Sequence, residues 1–311
     1  MREANSLPYS KLQLTDKPKF KNSLNLHYPY YEHSPKQIDP KIPRKEIDGG
    51  MNRRQTFLTM KDTAVLTRCN LFAVLGAIPH LIELVPEAAE LVAGTSIRIG
   101  FNVRKGPKAT LILDGGRASM VKGLEDCSIK LWFPSPEKFN AMIDGKGSPI
   151  PVSGFQHIGF LLGGFTKLTD LLSAYLRPAP EKLADPEFFA RSTTLMLYVI
   201  GRAIVQIGNH DKVGKFSASN ITNGKIKLGI GNDLAVAIHA CSGKLSFNAK
   251  PSENGYTSQM VFDSLKTARD LFDGNINAIA AVGMGQVRIG GMVSQVDNIN
   301  RILDRVAIYL A

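Results

Sequence analysis

The sequence predicts an α+β protein in which two modules of similar architecture follow an extended N-terminal arm. The first 55 residues are polar and rich in proline, whereas the rest alternates segments of helical and strand periodicity. The order of those segments occurs twice. We therefore expect an arm at 1–55, a first module at 56–178 and a second module at 179–311, each module a mostly antiparallel sheet covered by helices.

The arm is distinguished by its prolines and its charge. Six prolines fall within the first 43 residues, a density that prevents regular helix. Residues 1–55 carry eleven basic and six acidic side chains, so +5 of the chain's net charge of +11 lies there. The cluster His27-Tyr28-Pro29-Tyr30-Tyr31 favours packing of the arm on the folded body over stacking against nucleic-acid bases.

The elements of the first module follow from the spacing of apolar residues. Residues 62–92 have apolar positions at steps of three and four and predict helix, interrupted at Pro79 and Pro86. Gly115-Gly116 separates two alternating runs and predicts a hairpin. Ser135 is the expected N-cap of the next helix. The predicted strands are 96–103, 109–114, 117–121 and 129–133, and the predicted helices are 136–144 and 166–176.

The second module starts after a short proline-bearing linker at 178–186. Asp185 is the expected N-cap and Pro186 the first residue of a helix that runs to about residue 208. Ser264 caps a later helix, and Gly274 follows its end. The predicted strands are 226–230, 234–240, 244–249 and 256–262, and the remaining helices are 265–273 and 296–310.

The two modules also match in sequence. Residues 135–158 align without gaps on residues 264–287 at a constant spacing of 129. The shared positions are Ser135 with Ser264, Asp144 with Asp273, Gly145 with Gly274, Gly154 with Gly283 and Ile158 with Val287. This match predicts one architecture for both modules.

Residues 258–306 resemble the C-terminal half of the sterol carrier protein type 2 lipid-binding domain. In that family a strand precedes a Ser- or Thr-capped helix, a glycine turn, a glycine-flanked strand and a final apolar helix. Here those parts are Ser264, Gly274–Ala278, Gly285–Gly291 and Val296–Leu310. Residues 129–176 are similar to a lesser degree, because 157–164 stands where the family has an alternating strand.

The resemblance implies an apolar tunnel between sheet and helices that takes sterols, fatty acids or fatty acyl-CoA. It implies no catalytic residue, because binding in the family rests mainly on shape and hydrophobicity. We therefore expect a non-enzymatic lipid-binding protein. The candidate wall residues in the second module are Leu271, Phe272, Met284, Ile289, Val296, Ile299 and Leu303. Those in the first are Met142, Ile143, Phe155, Phe160, Phe165, Leu168 and Leu172.

Other chemistry has little support in the sequence. Three cysteines without a CxxC pair and six histidines without an HxxxH pair predict no zinc site. No GxSxG motif is present. We therefore expect no catalytic residue, no metal and no cofactor.

Several alternatives stay open. The protein is alternatively an accessory subunit with filled cores, whose arm clasps a partner protein or a second copy of the chain. The apolar segment 155–165 is either a ligand gate or part of a core between the modules. An anionic membrane surface is a candidate partner, whereas nucleic acid rests on charge alone and is disfavoured. The first 16 residues lack an apolar core, so we expect a cytoplasmic protein.

Overall fold

The computed structural model describes residues 60–252 and 254–311. The predicted arm at 1–55, with its tyrosine cluster, lies outside the described residues. The described chain contains two five-stranded sheets, each with its own helices, which confirms the α+β fold class. We call residues 63–176 the first unit and residues 186–310 the second unit.

The first unit begins with a long helix whose winding changes along its length. Helix α1 (Thr63–Leu84) is π-helical over Cys69–Val74 and 3₁₀-helical over Leu75–Ala77. The Asp62 carboxylate caps its start by accepting two backbone N–H groups. The other elements are α2 (Pro86–Glu90), β1 (Ser96–Val103), β2 (Lys108–Asp114), β3 (Arg117–Lys122), β4 (Ile129–Phe133), α3 (Pro136–Ile143), β5 (Ile150–Ser153) and α4 (Thr166–Leu176).

The second unit begins with the longest helix, α5 (Pro186–His210), which Asp185 caps as predicted. Its first residue is Pro186, whose missing N–H costs nothing in the first turn. The other elements are α6 (Lys212–Ser219), β6 (Gly224–Ile230), β7 (Leu234–Cys241), β8 (Lys244–Asn248), β9 (Ser258–Phe262), α7 (Leu265–Phe272), α8 (Ala278–Gly283), β10 (Val287–Gly291) and α9 (Val293–Leu310).

The two sheets have the same strand order. The first is β3-β2-β1-β4-β5 and the second, read from the corresponding edge, is β8-β7-β6-β9-β10. In each sheet the central strand pairs in parallel with one neighbour, β1 with β4 and β6 with β9. The other three pairs of each sheet are antiparallel. The parallel pair ends on Val103 beside Phe133 in the first sheet and on Ile230 beside Phe262 in the second.

The helix after the fourth strand is also equivalent in the two units. Ser135 caps α3 and Ser264 caps α7, each by accepting the N–H three residues later. Gly145 and Gly274 follow the two helices at φ 71° and 72°, a left-handed conformation that glycine adopts without strain. These shared caps match the predicted spacing of 129.

The gapless alignment beyond Gly145 is wrong. Gly154 and Gly291 are the structurally equivalent pair: both have positive φ, and a Cβ on either would collide with the carbonyl of Ser128 or Thr257, respectively. The sequence alignment instead paired Gly154 with Gly283, which ends the additional helix α8. The second unit therefore contains eight more residues between its capped helix and its edge strand.

The cores lie between the inner faces of the sheets and the long helices. Helices α1 and α5 pack against each other across the boundary between the units. Both are long and apolar enough to span a membrane by length and composition, but 72% and 61% of their apolar windows are buried inside the protein. Such burial is typical of core helices.

A buried polar cluster fastens the end of the chain to the second unit. Asp211 caps α6 and accepts hydrogen bonds from Arg305 at 2.9 Å and from the Tyr309 hydroxyl at 2.8 Å. Tyr309 in turn accepts the N–H of Asp62, and Arg305 donates to the Met60 carbonyl. The residue before α1 is thereby fixed against the end of α9.

Candidate functional site

Large exposed apolar side chains concentrate in two segments, one around each of two edge strands. Of thirteen such side chains in the described residues, ten lie on or beside the edge strands β5 and β10. The first apolar surface consists of Ile150, Val152, Phe155 and Leu162. The second apolar surface consists of Ile279, Val282, Met284, Ile289, Met292 and Val293. Contiguous exposed apolar groups are typical of ligand or partner sites, whereas single ones are ordinary.

The second apolar surface reaches the inner side of its sheet. Val287 and Ile289 alternate with Arg288 along β10, so both point toward the face that the helices cover. Val287 is buried, and Met260 opposite Ile289 is also buried, yet Ile289 itself is 38% exposed. The helical cover of the second sheet therefore stops short of Ile289.

The start of α9 is held firmly at the margin of this opening. The Met292 N–H donates to the Thr257 carbonyl at 3.0 Å. The wholly buried amide of Gln295 accepts from Thr257 at 2.8 Å and donates to the Thr222 carbonyl at 3.0 Å. Because these bonds fix the backbone, exposure of Met292 and Val293 is built into the fold.

The first apolar surface has a different construction. After β5 the chain forms short turns of 3₁₀, α and π helix over 155–165, the apolar segment for which the sequence predicted no alternating strand. Strand β5 lies earlier, at Ile150–Ser153, and was not predicted. Leu162 is 76% exposed, whereas the Phe165 ring lies 6.3 Å from Phe101 and joins the core. Phe165 thus packs within the first unit and Leu162 lies exposed, and the choice between a ligand gate and a core between the modules stays a prediction.

The predicted wall residues fall into three groups by exposure. Leu168, Leu172, Val296 and Ile299 are buried in the cores. Phe155, Met284 and Ile289 are exposed. The others are half-buried, namely Met142, Ile143, Phe160, Phe165, Leu271, Phe272 and Leu303. Met284 and Ile289 belong to the second apolar surface and Phe155 to the first.

Sequence reasoning missed most members of both surfaces. Ile279 and Val282 lie on α8, the helix that the gapless alignment did not reveal, and Ile150 and Val152 lie on the unpredicted strand β5. Met292 and Val293 precede the predicted start of the last helix. The available signal was the apolar character of most of 276–293, in which four glycines and three polar residues are interspersed.

A separate surface cleft of about 650 Å³ lies at the end of the second sheet. Its lining includes Tyr198, Lys227, Asp233, Lys250 and Tyr256, and none of the predicted wall residues. Two aromatic rings and two ammonium groups make this cleft chemically unlike the apolar surfaces.

Reactive groups are sparse in the described part of the chain. Among residues 60–252 and 254–311, no three His, Cys, Asp or Glu side chains lie close enough to hold a metal ion. Burial, with the nearby Asp211 charge, raises the pKa of the Cys69 thiol to about 12, so this thiol stays protonated and unreactive. Burial also raises the pKa of Asp304, on α9, to about 6.

Comparison with known proteins gives partial likenesses. No protein-family model matches the chain, and no curated protein matches it in sequence. A solved UbiJ-SCP2 ubiquinone synthesis protein is 12% identical over 36% of this chain and 91% of its own, with a TM-score of 0.29. Sterol Carrier Protein 2 from Yarrowia lipolytica is 17% identical over 35% and 89%, with a TM-score of 0.27.

A third solved structure, the alkylsulfatase Pisa1 from Pseudomonas sp., is 9% identical and has a TM-score of 0.26. The likeness covers 48% of this chain but only 28% of that enzyme. The two sterol-carrier-type structures align over most of their own length and about a third of this chain.

Proposed function

We propose that this protein binds a long-chain lipid without catalysing a reaction, and that the second apolar surface is where the lipid enters. The observation that carries the proposal is Ile289. Its side chain points to the covered face of the second sheet but is 38% exposed, and Met284 and Met292, which precede and follow β10, are also exposed. An acyl chain placed there would complete the apolar cover that α8 and α9 leave unfinished.

The energetics suit such a ligand. Each methylene group buried contributes about 0.8 kcal/mol, so a chain of a dozen carbons needs no dedicated polar contacts to bind tightly. Covering six exposed apolar side chains of the protein adds to the same driving force. The sequence resemblance around Gly285–Gly291 supports the same class of ligand, a fatty acid or fatty acyl-CoA.

The test compares lysine substitutions on two edge strands. Ile289→Lys on β10 places a charge in the proposed entry, and Val121→Lys on β3 places one at a site of nearly equal exposure, 40% against 38%. Lipid is extracted from the purified full chain and analysed by mass spectrometry, and displacement of a fluorescent fatty acid is titrated. We expect Ile289→Lys to weaken fatty-acid binding at least tenfold and Val121→Lys to leave it unchanged.

Two results would overturn the proposal. One is the absence of both copurified lipid and fatty-acid binding in the unmodified protein. The other is equal binding by the Ile289→Lys and Val121→Lys proteins at equal thermal stability, because the entry would then lie elsewhere.

A second function is favoured by the filled cores. Leu168, Leu172, Val296 and Ile299, which were predicted as tunnel walls, are at most 3% exposed, as expected of side chains in packed cores. We propose, as the alternative, an accessory subunit whose arm at 1–55 binds a partner protein or a second copy. Deleting residues 1–50 and measuring complex mass by light scattering tests this idea, since unchanged assembly would eliminate the accessory role.

A further inference from the structure

The connection between β8 and β9 runs over the outer face of the second sheet, the face turned away from the core. It has to cross the sheet because β8 lies at one edge, whereas β9 lies beyond β7 and β6. Ala249, Lys250, Pro251 and Tyr256 of this connection line the cleft of about 650 Å³. That volume falls within the range of about 300–1,000 Å³ typical of small-molecule sites.

In the first unit the connection between the strands packs directly on the equivalent position of the sheet. Gly100 pairs with Lys130 and Lys227 pairs with Gln259, and both pairs lie three residues before the end of the parallel ladder. Gly100 and Lys227 are therefore equivalent. In the first unit the β3–β4 connection packs directly on this position, because a Cβ at Gly100 would lie 2.5 Å from the Cys127 sulfur.

Cys127 and Tyr256 are equivalent as well, since the residues after them make the same bond. The Arg98 N–H donates to Ser128 Oγ at 3.1 Å, and the Lys225 N–H donates to Thr257 Oγ1 at 3.1 Å. A tight glycine–cysteine contact in the first unit is thus replaced by a lysine and a tyrosine in the second. The Lys227 ammonium lies 5.7 Å from the centre of the Tyr256 ring.

The replacement also changes the charge. In the first unit Arg98 forms an ion pair with Asp126 at 3.5 Å. The residues in those two places of the second unit are Lys225 and Gly255, so the acidic partner is missing. Lys225 uses its ammonium to donate to Ser252 and to the Asn254 carbonyl.

Lys227 is the half-buried cation that faces the cleft. Within the described residues it makes no hydrogen bond and no ion pair, although Asp233 lines the same cleft. The second lining lysine, Lys250, is held by Glu83 of α1 at 3.0 Å. A cation that burial has partly removed from water gains most from an anionic partner.

We infer that this cleft binds a small anion, a carboxylate or phosphate group attached to an aromatic body. Lys227 pairs with the anionic group, and Tyr198 and Tyr256 form apolar walls for the body. This inference is independent of the lipid proposal, because the cleft shares no residue with the second apolar surface.

Calorimetric titration of the full chain tests the inference with three probes that share a benzene ring. Phenyl phosphate and benzoate carry the anion, and benzyl alcohol has the ring without the charge. We expect one molecule of phenyl phosphate or benzoate per chain, and at least tenfold weaker binding of benzyl alcohol. The variant Lys227→Gln should weaken binding of the two anions at least tenfold. Lys130 is a half-buried lysine on the first sheet, and Lys130→Gln should leave that binding unchanged.

A second variant covers the possibility that Lys227→Gln disturbs the strand. Tyr256→Cys introduces the side chain that the first unit has at this place. It should also weaken binding of both anions tenfold, at unchanged melting temperature. Absence of binding by both anions at 10 mM would overturn the inference. So would anion binding that Lys227→Gln leaves intact, or that Lys130→Gln weakens equally, since the attraction would then be general to the basic surface.

Discussion

The Arg202 guanidinium on α5 donates a hydrogen bond to Nε2 of His80 on α1 at 3.1 Å, across the boundary between the two units. Because Arg202 can only donate, Nε2 must be unprotonated, and the imidazole carries its proton on Nδ1, 3.4 Å from Glu83. The ring also stacks on Tyr198 at 4.1 Å. A neutral histidine is therefore part of the contact between the long helices.

This arrangement predicts a loss of stability in acid. Burial and the Arg202 charge lower the pKa of His80 to about 4, despite the opposing effect of Glu83. The unfolded chain binds this proton from about pH 6.5 downward, but the folded chain does so only near pH 4. The free energy of unfolding should therefore fall between pH 6.5 and 4, by up to about 3 kcal/mol from this group.

The measurement is urea unfolding at several pH values for the unmodified protein and for His80→Phe, which keeps a stacking ring without a titrating group. The slope of stability against pH should be smaller in the variant. Parallel curves for the two proteins would contradict the assignment of His80 as a buried neutral group.

Asp304 predicts the opposite dependence on pH. Burial raises its pKa to about 6, and its Oδ1 has no hydrogen-bond partner among residues 60–252 and 254–311. Its contribution is most favourable below the unfolded value near 4 and is lost as the pH rises through 6. Asp304→Asn should therefore stabilise the protein at pH 8, by up to about 3 kcal/mol, and have little effect at pH 4. Equal effects at both pH values, seen by chemical denaturation, would rule this out.

Asp211 is expected to be essential to the stability of the second unit. Burial would raise the pKa of Asp211, but the bonds from Arg305, Gly214 and Tyr309 keep it below its usual value. Asp211→Asn retains an N-cap for α6 but removes the carboxylate charge that pairs with Arg305, and breaking a buried ion pair by removing one partner costs about 3–5 kcal/mol. The double variant Asp211→Asn/Arg305→Met should recover part of the loss. A single-variant cost below 1 kcal/mol would disprove the buried pair.

Gly154 and Gly291 should tolerate no side chain. Each has positive φ, and an added Cβ would collide with the carbonyl of Ser128 or Thr257, respectively. Gly→Ala at either place should therefore lower the free energy of unfolding by more than about 2 kcal/mol. Gly283 ends α8 with nothing within 4 Å of an added Cβ, and Gly283→Ala should be neutral or slightly stabilising. Thermal unfolding of the three variants distinguishes equivalent glycines from an unconstrained one; equal melting temperatures would refute the pairing of Gly154 with Gly291.

Local signals predicted most of the fold. Ser135, Ser264 and Asp185 were expected caps and are caps, because a side-chain oxygen before an apolar run satisfies N–H groups that the helix itself leaves free. The hairpin at Gly115-Gly116 followed from the same kind of short-range chemistry, since both glycines have positive φ.

Long-range features could not be read from the sequence in the same way. Strand β5 is only four residues long and contains Pro151, so its pattern does not alternate, and a bulge shifts its pairing. The contact of Lys227 with Tyr256 depends on which strand lies beside β6. Sequence spacing alone does not show that a chain segment returns across the outer face of a sheet.

The edge strands β5 and β10, which lie beside the apolar surfaces, also bear on pairing between molecules. An edge strand offers unpaired N–H and C=O groups to any similar strand of another molecule, and apolar neighbours strengthen that attraction. In β5 the ring of Pro151 and the bulge opposite Lys130/Leu131 of β4 interrupt the row of donors. In β10 the exposed charge of Arg288 and the left-handed turn at Gly291 shorten it. Two sheets with the same strand order thus differ in the features that disfavour edge-to-edge pairing beside their exposed apolar side chains.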